Sequence, residues 1–132
     1  MRIINEESYV PKAENVIKEL CKKAKKDRSG NPNIVTTSQL RNLLAMCADI
    51  YNMVIVQTKD ELSDEIKGKI EYLKIRMVYD AGRDDKVKKL VEEAELLDCI
   101  NEIKGSKRNY ILFNRYMEAL VAYRKFNVER DE

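Results

Sequence analysis

The sequence predicts an all-α fold, a compact five-helix bundle, and three observations support this. The chain has 132 residues, 44% hydrophobic and 36% charged, which is enough for one ordinary domain with its own core. It contains only four Gly and two Pro, fewer than many short strands would need. Apolar residues recur three and four positions apart in five capped segments. We therefore expect a single helical domain over residues 1–132, with its core at about residues 9–126 and loose ends.

The first helix is predicted from about Pro11 to Lys26. Its apolar positions gather on one side of a helix and are Val16, Ile17, Leu20, Cys21 and Ala24. The second helix has the clearest start, because Thr36 and Gln39 form a capping box. The residue at which this helix ends is not decided by the sequence, since residues 54–56 are β-branched and fit either a last helical turn or an extended connector.

The third helix has two possible starts. Thr58 with Glu61 offers a capping box, while Ser63 competes as the N-cap. Ile66 begins the apolar side of this helix. Gly82 is the predicted stop after its last turn.

The fourth and fifth helices complete the bundle. Asp84 and Asp85 suit the start of the fourth, where negative charge complements the helix dipole, and Gly105 ends it. Ser106 caps the fifth helix, which is apolar around most of its circumference. We expect the fifth helix to be central to the bundle or shared with a partner.

Composition excludes several classes of function. The chain has no His, which excludes imidazole metal sites and catalysis by His pairs. Its three cysteines fall in apolar patterns without CxxC spacing, so we interpret them as reduced core thiols. We expect no metal, no cofactor and no enzymatic activity, because no motif or apolar setting distinguishes a carboxylate pair. The chain shows no signal peptide or membrane span, which indicates a cytoplasmic protein with no membrane contact.

One predicted helix edge alternates basic and aromatic residues. Lys69, Tyr72, Arg76 and Tyr79 fall within an arc of about 80° when successive residues turn by about 100°. Cations bind phosphates, and tyrosine rings stack on bases, in proteins that bind single-stranded nucleic acid. The alternative is a solvated charge row with tyrosines half-buried over the core. Glu65 on the same edge weakens the nucleic-acid interpretation.

Two helix starts could attract an anion. Polar and basic residues cluster around the start of the second helix, where free N–H groups favour anions: Arg28, Ser29, Asn31, Thr36, Thr37, Ser38 and Arg41. Lys107 and Arg108 lie in the first turn of the fifth helix, where cations oppose the dipole. Such a locally unfavourable choice indicates a bound anion.

Charge is distributed unevenly, although the net charge is only +2. The first helix carries lysines, while the fourth has acidic residues on its outer side: Glu92, Glu95, Asp98 and Glu102. Opposite faces of opposite charge suit head-to-tail stacking of identical copies. Ordinary solvation of both faces is the alternative.

Three strings of residues, in order, resemble the small subunit of the type III-A CRISPR-Cas complex, the Csm complex. They are Thr36-Thr37-Ser38-Gln39-Leu40-Arg41-Asn42-Leu43-Leu44, then Ile70-Glu71-Tyr72-Leu73-Lys74-Ile75-Arg76 running into Tyr79-Asp80-Ala81-Gly82-Arg83-Asp84, and finally Arg115-Tyr116-Met117-Glu118-Ala119-Leu120-Val121-Ala122-Tyr123. The similarity extends from about Tyr9 to Phe126.

The resemblance implies a non-catalytic, RNA-binding protein of antiviral defence. Several copies stack along the duplex of guide RNA and target RNA, beside the backbone and large subunits, and hold RNA without reading its sequence. Matched positions make Arg41, Arg76, Arg83 and Arg115 candidate RNA contacts. Our helical-face argument adds Lys69 and Tyr72, and the helix-start argument adds Lys107 and Arg108.

We further expect Arg41, Lys69 and Arg76 to contact RNA from one side of the bundle. The competing function is a helical protein–protein adaptor with no nucleic-acid contact. A helix-turn-helix regulator of DNA is a more distant third, because the second helix is nearly free of cations.

Overall fold

A computed structural model describes residues 2–28 and 30–128. It contains six helices, α1 (Tyr9–Lys23), α2 (Thr37–Val54), α3 (Asp64–Arg83), α4 (Asp85–Glu93), α5 (Leu96–Asn101) and α6 (Lys107–Asn127). In these two ranges no strand forms, and β pairing is limited to the isolated bridges Lys26–Pro32 and Glu61–Ser106. The all-α prediction is confirmed, but the count is six helices where five were predicted.

The extra helix arises because the predicted fourth helix breaks in the middle. Glu95 adopts the left-handed conformation with φ 55°, which ends α4 before α5 begins at Leu96. The break lets Leu96 become fully buried and brings the Glu95 carboxylate within 2.7 Å of Lys12 Nζ on α1. No Gly or Pro marks this position, so the apolar spacing alone predicted one continuous helix.

The first helix begins and ends earlier than predicted. Pro11 lies in the first turn of α1, where its missing N–H has no helical partner to lose. After Lys23 the chain becomes extended at Ala24, with ψ 151°. Lys26 therefore belongs to the following loop. Ser29, a member of the predicted anion cluster, lies outside the described residues, as do residues 129–132.

The N-terminal segment is attached to the bundle, whereas the sequence predicted a loose end. The backbone N–H of Ile3 donates to both carboxylate oxygens of Glu102, at 2.9 and 2.8 Å. Ile4 is buried in the core. Arg2 donates to the Asn109 side chain of α6 at 2.7 Å.

Of the two predicted starts for α3, the structure uses Ser63. Its hydroxyl accepts a hydrogen bond from the backbone N–H of Ile66 at 3.3 Å. The preceding loop is organised by Gln57, whose amide group donates to the carbonyl oxygens of Lys59 and Glu61. Thr58 therefore does not cap α3.

The predicted stop at Gly82 is wrong. Gly82 lies inside α3, which continues through Arg83, and its φ is not positive. Asp84 ends the helix instead, because its backbone turns extended while its carboxylate accepts from the N–H groups of Lys86 and Val87 at the start of α4. Gly105 is left-handed with φ 71°, but α5 already ends at Asn101, with Glu102 as its C-cap, so the predicted helix stop at Gly105 is also wrong.

Helix α6 is central, as its apolar circumference predicts, and packs against α1 and α2. Tyr110 and Tyr116 on α6 are completely buried. Their hydroxyls donate to the carbonyl oxygens of Cys47 at 2.6 Å and Ala94 at 2.9 Å. These bonds satisfy the polar ends of both rings and fix α6 against α2 and the α4–α5 break. Helix α3 packs on α2 and α4.

The cysteines are free thiols in or beside the core. Cys47 and Cys99 are buried and Cys21 is half-buried. Burial raises the pKa of both Cys47 and Cys99 to about 12 and also raises the pKa of Cys21. All three therefore stay protonated near neutral pH.

Candidate nucleic-acid interface

Helix α3 places three cations in a row along one exposed edge. Ile66, Ile70, Leu73 and Met77 bury the inner side of the helix. Lys69, Arg76 and Arg83 are exposed and recur every seven residues, so successive cations lie about 10 Å apart at ~1.5 Å rise per residue. The 3.6-residue period thus separates a core side from a basic edge.

This basic edge lies on the flank of α3 that faces α2. The side chain of Gln39, on α2, donates to the Asp84 carboxylate at 2.8 Å and so ties the start of α2 to the end of α3. Arg83 and Asp80 line a cavity of about 190 Å³ with Gln39 and Asn42. The opposite flank of α3 faces α5, where Lys74 donates to Asn101 at 2.7 Å.

The three cations have no carboxylate partner within the part of the chain that the structure describes. None of its ion pairs involves Lys69, Arg76 or Arg83, and Glu65, four residues before Lys69, does not pair with it. The guanidinium of Arg83 instead lies 5.4 Å from the centre of the Tyr79 ring, in a cation–π contact. Their charge is therefore available to a partner molecule.

Two tyrosines accompany these cations. Tyr72 and Tyr79 are each more than half exposed, so they project to solvent rather than cover the core. The half-buried placement considered for them is wrong. We call the exposed cations and tyrosines of this helix the α3 surface, which consists of Lys69, Tyr72, Arg76, Tyr79 and Arg83.

Arg41 lies apart from the α3 surface. It is exposed on α2, two residues after Gln39, so the two side chains point in nearly opposite directions, about 200° apart around the helix. Because Gln39 faces the end of α3, Arg41 lies on the flank of α2 that faces away from α3. The expectation of one shared side for Arg41, Lys69 and Arg76 is corrected accordingly.

Lys107 and Arg108 have partners within the chain. Lys107 donates through Nζ to the Gln57 carbonyl oxygen and through its backbone N–H to the Asp60 carbonyl oxygen at 2.7 Å. Arg108 pairs with Glu6 at 2.8 Å, and its guanidinium lowers the pKa of that carboxyl group. These contacts account for cations in the first turn of α6 without a bound anion.

Arg115 joins Lys107 and Arg108 in a second basic group. All three line a cavity of about 500 Å³ between the N-terminal segment, α1 and α6. Glu6 and Asp60 line the same cavity and offset part of its positive charge. Arg115 itself is exposed and has no ion-pair partner among the residues described.

The predicted acidic face is smaller than the sequence indicated. Glu95 pairs with Lys12, and Glu102 accepts from the Ile3 backbone, so both are used inside the chain. Glu92 and Asp98 remain exposed. The charge asymmetry that favoured head-to-tail stacking is correspondingly reduced.

Two kinds of site are not found in the regions that the structure describes. No group of three or more His, Cys, Asp or Glu side chains there could hold a metal ion. No helix there is both long and apolar enough to cross a membrane.

Comparison with known proteins addresses the family directly. The family model described as "Csm2 Type III-A" matches residues 14–130. The protein named "CRISPR system Cms protein Csm2" from Streptococcus thermophilus is 42% identical over 131 residues, which cover 99% of this chain and 100% of that protein.

Two further proteins of the same printed name are also similar. The one from Mycobacterium tuberculosis is 38% identical over 127 residues, or 96% of this chain and 97% of that protein. The one from Enterococcus italicus is 36% identical over 109 residues, or 76% of this chain and 77% of that protein. The Streptococcus and Mycobacterium matches cover nearly the whole chain, and the matches together confirm the resemblance drawn from its three strings. The chain belongs to the type III-A Csm2 family of CRISPR proteins.

Proposed function

We propose that this chain is the non-catalytic small subunit of a type III-A CRISPR-Cas complex in the cytoplasm. In antiviral defence it binds the sugar–phosphate backbone of RNA. Several copies stack along the duplex of guide RNA and target RNA, beside the backbone and large subunits. Membership of the family supports the assignment to the complex. The α3 surface supports the contact with RNA.

The single observation that carries this proposal is the row formed by Lys69, Arg76 and Arg83. Three exposed cations at equal spacing, none of them in an ion pair with another described residue, suit a polymer that carries regularly spaced negative charge. Contacts to phosphates fix position without reading sequence, and pairing with a guide supplies the sequence specificity. The net charge of only +2 limits repulsion between neighbouring copies.

The remaining candidates contribute in different ways. Arg41 and Arg115 are exposed and reach RNA that passes beside α2 or α6. Lys107 and Arg108 contact a phosphate only if they exchange their present partners, Gln57 and Glu6. We therefore rank the α3 surface above these residues.

The proposal is tested by ultraviolet cross-linking in cells that carry the complex. The tagged chain is purified after irradiation, and the RNA joined to it is quantified and sequenced. We expect guide RNAs of one length class to co-purify, and the double variant Lys69→Ala/Arg76→Ala to yield less cross-linked RNA. The matched control is Lys22→Ala/Lys88→Ala, which removes two exposed lysines of α1 and α4 that form no ion pair in the described chain.

A second candidate, the helical adaptor, is favoured by one observation. Ile75 and Val78 on α3 are large, apolar and at least half exposed, which is typical of a protein-binding face. The same purification separates the two functions. Loss of protein subunits from the Lys69→Ala/Arg76→Ala variant, with cross-linking per remaining chain unchanged, favours the adaptor and contradicts RNA contact at α3.

A further inference from the structure

The outward side of α3 carries a row of residues beside the basic edge. Its members follow one another at spacings of four and three, which places them on one side of the helix, and they are Gly68, Tyr72, Ile75, Tyr79 and Gly82. The three large side chains are 60%, 61% and 57% exposed, respectively. This side is opposite the core, and its three large side chains are open to solvent.

Two glycines within this row are unexplained by the chain itself. Gly68 and Gly82 both lie inside α3, neither has a positive φ, and a Cβ added to either would meet no heavy atom within 4 Å. Glycine inside a helix is less favourable than alanine, so local structure gives no reason for it. Bare backbone at an exposed position suits the close approach of another molecule.

The row alternates with the cations in a fixed repeat. Lys69 precedes Tyr72 by three residues, and seven residues later Arg76 precedes Tyr79 by three. The two rings are therefore about 10 Å apart along α3, or about three base steps at ~3.4 Å each. Arg83 lies over one side of the Tyr79 ring and steadies it while the rest of the ring stays exposed.

We propose that this side of α3 binds unpaired nucleotides of single-stranded RNA, with bases stacked on Tyr72 and Tyr79. The inference rests on the proposed function and deepens it by naming the form of RNA at this site. Lys69 and Arg76 bind the phosphates that flank each stacked base, and Ile75 offers an apolar surface between the rings. Gly68 and Gly82 let the strand approach the helix at both ends of the row.

Single-stranded RNA fits this side better than a duplex does. In a duplex the base faces are covered by neighbouring pairs, and the narrow major groove of the A-form excludes side chains. Exposed rings next to cations instead form the stacking platform of proteins that bind single strands. A protein helix is the competing occupant, and two exposed carboxylates lie near the row, Glu65 one turn before Lys69 and Glu71 on the flank away from the basic edge. Neither forms an ion pair with Lys69 or Arg76 among the described residues, which leaves both cations for phosphates.

The test compares two RNAs with the full chain at low salt, by fluorescence anisotropy. The probes are a labelled 20-nucleotide oligouridine and a labelled 20-base-pair RNA duplex. The double variant Tyr72→Ala/Tyr79→Ala should bind oligouridine at least about fivefold more weakly than the unmodified chain, because the loss of even one stacked base weakens binding by about that factor. Its affinity for the duplex should stay within about twofold of that of the unmodified chain. The control Tyr72→Phe/Tyr79→Phe keeps both rings and should bind both RNAs normally.

The outcomes distinguish this inference from the proposed function. If the double alanine variant binds oligouridine normally while Lys69→Ala/Arg76→Ala binds it weakly, stacking is overturned and backbone contact stands. The stacking proposal is also overturned if the double alanine variant loses affinity equally for oligouridine and for the duplex. The same holds if the unmodified chain shows no measurable binding of oligouridine. If the alanine variant binds both RNAs normally but is lost from the purified complex, the row is a protein interface.

Discussion

The guanidinium of Arg124, near the end of α6, is buried and donates from Nε to the carbonyl oxygen of Val35 at 2.8 Å, across 89 residues of sequence. Val35 directly precedes Thr36, the N-cap of α2. The bond therefore fixes the entry of α2 against the end of α6. Although Arg124 is a cation close to the third family-like string, its burial makes it a structural residue and removes it from the surface that RNA can reach.

Replacing Arg124 should destabilise the fold without weakening RNA binding. Arg124→Met keeps an unbranched apolar stem but leaves the buried Val35 carbonyl without this donor, which costs about 2 kcal/mol. The exposed control Arg76→Met should change the free energy of unfolding by at most about 0.5 kcal/mol. Urea denaturation of both variants provides the measurement. Equal stability of the two variants would contradict the assigned role of Arg124.

Asp84 should make stability depend on pH. Desolvation acts to raise its pKa, but hydrogen bonds from the N–H groups of Val87 and Lys86 and from the Gln39 side chain outweigh that effect and hold the pKa below its ordinary value of 3.8. Because the pKa of Asp84 is lower in the folded chain than in the unfolded chain, its ionised carboxylate stabilises the fold at pH values above the unfolded pKa. This stabilisation is lost as the pH falls through the pKa of the folded state.

At neutral pH, Asp84→Ala should therefore lose about 1 kcal/mol, as expected for a lost N-cap. The difference between this variant and the unmodified chain should shrink as the pH falls below about 4, where an unperturbed carboxyl group begins to protonate. Thermal unfolding measured between pH 7 and pH 2 tests this. A stability difference between Asp84→Ala and the unmodified chain that stays constant over that pH range would show that the charge of Asp84 does not contribute to stability.

Two glycine substitutions should have opposite effects on the isolated chain. Alanine at Gly105 must adopt φ 71° and would place its Cβ 2.8 Å from Lys67 Cε, so Gly105→Ala should destabilise by about 1–2 kcal/mol. Gly82→Ala meets open space within α3 and should stabilise by up to about 1 kcal/mol. Differential scanning calorimetry resolves both. Destabilisation by Gly82→Ala would mean that α3 itself requires glycine there, contrary to the inference of an outside partner.

The buried thiols should resist alkylation. Because the pKa values of Cys47 and Cys99 are raised to about 12, almost no reactive thiolate forms at pH 8. Mass spectrometry after treatment with iodoacetamide should find these two cysteines unmodified in the folded chain and all three modified in guanidinium. Circular dichroism should also show the same helicity with and without reductant or chelator. Rapid labelling of Cys47 under native conditions would contradict the packing of α2 on α6.

The strongest signals between neighbouring residues were predicted well from the sequence, although the local helix stop at Gly82 was wrong. The capping box of α2 is present as predicted, with the Gln39 N–H donating to Thr36 Oγ1 at 3.0 Å and the Thr36 N–H donating to Gln39 Oε1 at 2.9 Å. Such signals lie within one helical turn, where local chemistry decides the outcome. The exposed alternation of Lys69, Tyr72 and Arg76 followed equally from helical periodicity.

Several features that depend on tertiary contacts were not predicted. The left-handed Glu95 carries no local signal, since its conformation is favoured by the burial of Leu96 and the ion pair with Lys12. Arg108 looked unfavourable in isolation because its partner, Glu6, lies 102 residues earlier. The position of Arg41 apart from the α3 surface was likewise not predictable, because it depends on which flank of α2 packs against α3.

The central claim, that the cations of α3 bind RNA phosphates, is tested most directly by the salt dependence of RNA binding in the reconstituted complex. Lys69→Ala and Arg76→Ala should each weaken binding of unrelated RNA sequences by similar factors. Each should also make the slope of log affinity against log salt shallower by about 0.7 for a single-stranded phosphate, or about 0.9 for a duplex. Lys88→Ala, the exposed control on α4, should change neither quantity. Unchanged affinity and slope in Lys69→Ala and Arg76→Ala, with both variants fully assembled, would contradict the account.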